Sequence, residues 1–249
     1  MNEWLLGYVA LGAVAGFFAG LLGVGGGAIM VPVLALMFVA QGFPQEHLMH
    51  LALGTSMATI VFTSVSSLRA HHQHGAVKWS VVRTIAPGIL VGTFAGAQLA
   101  SAMPTRPLAI FFVVFMSYVS FQMLANIKPK PSRQLPGGFG MFGVGSGIGT
   151  LSALVAIGGG SLTVPFLTWC NVKMHDAIGT SAAVGFPIAV AGTLGYMVGG
   201  VAGNDLPAGS LGYFYPPGPG GCGGGGKAAG PLRAQGGAPV AESIVGPLI

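Results

Sequence analysis

The chain has 249 residues, of which 52% are hydrophobic and only 6% charged, with a formal net charge of +5 at neutral pH. A soluble domain carries about 25% charged residues, so this composition excludes an ordinary water-soluble fold and places the chain in lipid. The basic residues lie in short loops between apolar runs, where they set orientation across a bilayer; the positive charge is not a nucleic-acid signal.

A helix needs about 20 apolar residues to cross a hydrocarbon core of roughly 30 Å. Such runs occur at Trp4–Ala40, Leu48–Leu68, Val81–Met103, Leu108–Leu124, Phe139–Trp169 and Ala177–Val201. Glu3 stands at the N-terminus without Lys or Arg, so the basic flank of a secretory signal is missing and the first run reads as a retained span. As one helix, Trp4–Ala40 would be roughly 55 Å long at 1.5 Å per residue, almost twice the membrane. It has to break. Gly25, Gly26 and Gly27 are the expected place, because glycine is a poor helix former and Pro32 follows closely. A half-helix is expected to start near Met30 to Pro32, with the proline in its first turn. Non-helical backbone at membrane depth survives only against protein or a wet cavity, so the glycines should face the interior.

Residues 41–47 carry Glu46 and no Lys or Arg, whereas residues 69–83 carry Arg69, Lys78 and Arg83. The positive-inside bias puts the second loop in the cytoplasm. Loop 125–137, with Lys128, Lys130 and Arg133 in a Pro-rich stretch, joins it there and links two halves. Whether the halves run parallel or inverted depends on whether the segment after the first glycines crosses fully, and both are transporter designs.

The second half repeats the first. GGGAIMVPVL at Gly25–Leu34 and GGGSLTVPFL at Gly158–Leu167 share six of ten residues, and MHLALGTS at Met49–Ser56 returns as MHDAIGTS at Met174–Ser181. Two matched blocks in one order mean an internal duplication. Gly145 and Gly149 stand at the offset of Gly12 and Gly16, and together with Gly20 these small residues mark packing faces. After Tyr215 the chain turns to Gly, Pro and Ala without periodicity, which reads as disordered. The second half then lacks mates for Val81–Met103 and Leu108–Leu124, and a shifted reading frame over residues 216–249 is the expected cause. Cys170 and Cys222 show neither metal spacing nor a disulfide framework and read as free thiols.

The paired Gly-rich segments that run on to Val-Pro, each followed by a G-T-S block, resemble the sulfite exporter TauE/SafE family, also called the TSUP family of membrane permeases. The likeness runs from about Leu6 to Tyr215 and includes LPAGSLGYFY. It implies a multi-pass protein of the bacterial inner membrane that moves small anions such as sulfite, sulfonates or related organic acids.

No charged residue lies deep in a span, so an anion site here has to use backbone donors, hydroxyls and helix ends rather than buried charge. The glycine breaks offer these: the N–H groups of Gly25, Gly26, Gly27 and Ala28, and of Gly158, Gly159, Gly160 and Ser161, each beside a half-helix N-terminus. Tight helix packing without a ligand is the competing reading. Thr55, Ser56, Thr180 and Ser181 match between halves and could donate to an oxyanion, or bond back to their own helix. His50 and His175 also match and could couple transport to protons, or serve as helix-end hydrogen-bond groups. Asp176, opposite Leu51 in the alignment, is either a partner in proton coupling or an N-cap. His71, His72 and His74 beside Arg69 lack the ligand spacing of a metal site. The glycines are not a phosphate loop, since no Gly-Lys-Ser/Thr follows.

The expected fold is all-α: a polytopic transmembrane helical bundle of two internal repeats with broken helices. Residues 1–124 form the first repeat, 125–137 a basic cytoplasmic linker, 138–215 a truncated second repeat and 216–249 a Gly/Pro-rich tail. The expected function is a secondary permease of small anions, working by alternating access without cofactor or metal, with the lipid bilayer, the anion and coupling protons as its partners. Two other classes stay open: an intramembrane enzyme using Ser56 with His50, and a membrane subunit or receptor that transports nothing itself. Oligomeric state is not specified.

Overall fold

The computed structural model describes residues 7, 11–12, 27–125, 133–201, 206 and 210–215. Gly16, Gly20, Gly25, Gly26, Cys222 and the tail 216–249 lie outside them. The described helices are α1 Gly27–Ala40, α2 Leu48–Gln73, α3 Trp79–Ala102, α4 Thr105–Leu124, α5 Gly138–Val155, α6 Gly160–Trp169 and α7 Met174–Val201. Five of them, α2, α3, α4, α5 and α7, are long and apolar enough to cross a membrane, and no named strand occurs among the described residues.

Glycines set the closest helix contacts. Along α3, Gly88, Gly92 and Gly96 lie against the backbone of Phe142, Ser146 and Thr150 of α5, so these helices run parallel in direct backbone contact. In return, a Cβ on Gly145 would sit 2.6 Å from the Ile85 carbonyl oxygen, and one on Gly149 2.7 Å from that of Ile89. Small residues at four-residue spacing allow this approach, which is the role expected of Gly145 and Gly149. Hydroxyls stitch the same seam. Ser146 Oγ shares its proton between the carbonyls of Gly88 (3.1 Å) and Phe142 (2.9 Å), and Thr150 Oγ1 between those of Gly92 (3.0 Å) and Ser146 (2.9 Å).

Helix α7 runs parallel to α3, with Gly195 against Ala97 and Gly199 against Ser101, and Gln98 Nε2 donates to the Gly195 carbonyl at 2.9 Å. It runs antiparallel to α2: Gly54 meets Tyr196, Met57 meets Gly192, and Ala76 just past α2 meets Gly179. The two helices that carry the matched G-T-S blocks therefore point in opposite directions. The starts of α3, α5 and α7 share one end of the bundle with the end of α2, and that end carries Arg69, Lys78, Arg133 and Lys173. We refer to it as the basic end.

The run Phe139–Trp169 is not one helix. Helix α5 stops at Val155 in a turn that places Ala156 in the left-handed region (φ 50°), with the Ile157 N–H donating back to the Ser152 carbonyl at 3.2 Å. This is the six-to-one closure of a Schellman turn, here with alanine where glycine is usual. Tyr196, fully buried in α7, donates its hydroxyl to the Ala153 carbonyl at 2.9 Å and satisfies an end-of-helix acceptor that lipid could not. Gly159 then adopts φ 81° and α6 begins. Four residues after α6 ends, α7 starts at the basic end, and the Arg133 N–H donates to the Trp169 carbonyl at 3.3 Å. The chain thus enters on α5 and returns on α6 to the same end. At ten residues and about 1.5 Å per residue, α6 spans half a bilayer core.

One expectation needs correction. Pro32 and Pro165 are each the sixth residue of their helix, not part of its first turn. For α6 the reason is Gly159, whose φ of 81° already ends the preceding segment. Lacking an N–H, Pro32 leaves the Ala28 carbonyl without its helical donor, and Pro165 does the same to Ser161.

Candidate functional site

The two glycine blocks meet. A Cβ on Gly27, the first residue of α1, would overlap the carbonyl oxygen of Ala156 at the end of α5, with Ile60 Cδ1 of α2 at 3.4 Å. Only glycine allows so close an approach. Gly158 lies against α7, its carbonyl oxygen 2.8 Å from where a Gly185 side chain would start. Gly159 packs beneath Ile188 and Val184 of the same helix. Of the predicted substrate group, Gly27, Gly158, Gly159, Gly160 and Ser161 are thus gathered where α1, α5, α6 and α7 converge. Ala28, one residue into α1, instead borders a groove shared with Pro32, Ser117 and Ser120.

The matched threonines each accept a backbone N–H from the other half of the chain. Thr55 Oγ1 accepts the backbone N–H of Tyr215 at 3.1 Å, and Thr180 Oγ1 accepts that of Lys78 at 3.1 Å. Each threonine holds the segment that follows the other repeat's helix, and each block's glycine does likewise: Gly54 packs on the Tyr213 carbonyl and Gly179 on that of Ala76. Gly75 and Gly212, both with positive φ (67° and 61°), turn the two segments alike. Both threonines keep a hydroxyl proton to donate. Ser56 and Ser181 are buried, and Ser56 Oγ has no partner among the described residues.

His50 and His175 part company because the helices that bear them are antiparallel. Buried near the start of α2, His50 shares its Nε2 proton between the Ala100 carbonyl (3.0 Å) and the Met103 carbonyl (2.9 Å), which closes the C-terminus of α3. That assignment makes Nδ1 an acceptor, facing Thr105 Oγ1 at 3.5 Å. Tyr213 stacks on the ring with centroids 4.9 Å apart, and burial raises its phenol above the usual range. His175 is exposed at the basic end, 3.7 Å from Asp176, which pairs with Lys78 at 3.2 Å. Among the described residues no group of three His, Cys, Asp or Glu side chains is placed to hold a metal.

Sequence reasoning missed three hydroxyls. Thr93 on α3, Ser152 on α5 and Thr163 on α6 are buried with no hydrogen-bond partner among the described residues. Their signal was available as polar residues in apolar runs, but comparing the two copies hid it, because Thr163 is matched by Met30.

A bundle in which five of the described helices are long and apolar enough to cross a membrane places the chain among integral membrane proteins. The family model described as sulfite exporter TauE/SafE matches residues 8–235. The chain belongs to that family. It is 36% identical over 219 residues to a probable membrane transporter protein of Haemophilus influenzae, covering 87% of this chain and 83% of that one. It is 26% identical over 212 residues to the probable membrane transporter protein YunE of Bacillus subtilis, covering 77% and 78%. No solved structure matches it.

Proposed function

We propose that this membrane transporter carries small anions, such as sulfite, sulfonates or related organic acids, as a secondary permease of the bacterial inner membrane. Residues 1–124 and 138–215 act as two repeats joined by the linker 125–137, and they rock against each other around the meeting point of the glycine breaks. The observation that carries this reading is the start of α6 inside the bundle: Gly160 and Ser161 offer backbone N–H groups there with no helical acceptor, beside buried unpartnered hydroxyls. A helix N-terminus carries a partial positive charge and binds anions without a buried cation. The substrate group comprises Gly25–Ala28, Thr55, Ser56, Gly158–Ser161, Thr180 and Ser181. The antiparallel course of α2 and α7, with the reciprocal threonine contacts, supports an inverted pair of repeats, the arrangement that lets two ends open in turn. Four basic residues at one end support its placement in the cytoplasm. The exposed His175 and the partly buried Asp176 there are suited to proton coupling, and His50 is its remaining candidate at the other end.

An intramembrane hydrolase built on Ser56 and His50 is disfavoured because Ser56 Oγ makes no hydrogen bond to His50, whose ring nitrogens face Ala100, Met103 and Thr105. Purified protein in proteoliposomes, assayed for sulfite flux and in parallel for hydrolysis, tests the reading. Saturable sulfite flux without hydrolysis is expected. Hydrolysis without flux would refute the transport reading.

A further inference from the structure

We infer that anion recognition is asymmetric: the Thr163 hydroxyl and the free Gly160 and Ser161 amides form a clamp at the start of α6 that orients the substrate, and the side chains of α1 supply no counterpart to Thr163. This rests on the anion-transport reading above and assigns its specificity to the second glycine block. The blocks align without gaps, which sets Ala28 against Ser161 and Met30 against Thr163. Both hydroxyls therefore belong to one copy only.

Thr163 is fully buried, and neither its Oγ1 nor the buried Oγ of Ser161 has a partner among the described residues. Buried polar atoms nearly always have one, so an orphan requires a reason. Helical Ser and Thr usually bond back one turn, as Thr168 of the same helix does to the Val164 carbonyl at 3.0 Å. For Thr163 the equivalent acceptor is the Gly159 carbonyl, already taken by the Thr163 N–H at 2.8 Å and the Leu162 N–H at 3.3 Å. The hydroxyl lies instead 3.5 Å from the point where a Gly159 side chain would begin, at the mouth of the helix.

The Thr163 hydroxyl and the two N-terminal amides of Gly160 and Ser161 make a set of donors. That set fits an oxyanion with several acceptor oxygens on one centre. The start of α1 offers nothing comparable. Gly27 is pressed against the Ala156 carbonyl, Ala28 and Met30 carry no donors in their side chains, and Met30 is buried. The first block thus lacks the side-chain donor that the second supplies.

The test uses the full chain in detergent, with sulfite titrated against thermal stability, and in proteoliposomes for flux. Thr163→Val keeps the volume and removes the donor. It should raise both the apparent Kd and the KM for sulfite about tenfold or more, as loss of one hydrogen bond to a charged ligand does, without lowering the unliganded midpoint. Thr163→Ser should restore affinity, and Met30→Thr should leave it unchanged. Should Thr163→Val fail to fold, Thr163→Ala carries the same expectation. Wild-type affinity and flux in Thr163→Val would overturn the clamp and leave the transport reading intact. Absence of both binding and flux in the wild-type protein, with sulfite, sulfonates and carboxylates alike, would overturn both.

Discussion

Thr180 Oγ1 accepts the backbone N–H of Lys78 at 3.1 Å, and Thr55, its mate in the repeated block, holds the N–H of Tyr215 at the same distance. The two contacts sit at opposite ends of the bundle because α2 and α7 run antiparallel. Each joins one half of the chain to the other.

Removing either oxygen strands a backbone donor. Thr55→Val should therefore destabilise the protein by about 1–3 kcal/mol, the cost of a buried unsatisfied group, and Thr55→Ser should recover most of it. Thr180→Val should cost somewhat less, its partner being only partly buried. The effects should add in the double variant, since the sites share no partner. Thermal unfolding in detergent measures all three.

His50 offers a separation of structure from proton chemistry. Its Nε2 closes the α3 terminus at Ala100 and Met103, so His50→Leu should lower stability by about 1–3 kcal/mol, whereas His50→Gln, which retains a donor, should lower it less. A pH dependence of flux that survives in His50→Gln would place proton coupling elsewhere. Loss of that dependence at unchanged stability would assign it to His50.

At the basic end, the Lys78–Asp176 pair is partly exposed, and such pairs contribute little to folding because water screens them. Asp176→Asn should leave the unfolding midpoint nearly unchanged. If Asp176 and His175 couple protons, the same variant should flatten the pH dependence of flux, as measured in vesicles with an imposed proton gradient.

Gly149 tests the seam between α3 and α5. A Cβ there would lie 2.7 Å from the Ile89 carbonyl oxygen and from the Thr93 backbone nitrogen, neither of which can yield cheaply. Gly149→Val should reduce the yield of folded monodisperse protein sharply, while Gly143→Ala, in open space, should not. Size-exclusion profiles of the two variants distinguish them.

Much of this was legible in the residues. Apolar runs located α2, α3, α4 and α7 to within a few residues, because span length is fixed by lipid thickness, and the triplet at Gly158–Gly160 marked where α5 gives way to α6. The relative direction of the halves was not legible, since it turns on whether a short helix crosses or returns, and α6 returns through backbone angles at Ala156 and Gly159 that hydropathy does not encode. Also hidden was the correspondence of Gly75–Lys78 with Gly212–Tyr215. The two segments share only their first residue; their likeness lies in backbone turn and hydrogen-bond position. The substrate group was drawn from positions that match between copies, a criterion that finds Thr55 and Thr180, which also hold the Tyr215 and Lys78 N–H groups, and passes over Thr163.

The central claim is that the break before α6 is where the anion is held, and Gly159→Leu tests it most directly. At φ 81° a side chain is strained, and its first atom would lie 2.5 Å from Ile188 Cδ1 and 3.5 Å from Thr163 Oγ1, which displaces the N-terminus of α6 and its donors. Sulfite flux into proteoliposomes, at equal amounts of reconstituted protein, should vanish in Gly159→Leu while membrane insertion is retained. Flux near wild type in that variant would contradict the account.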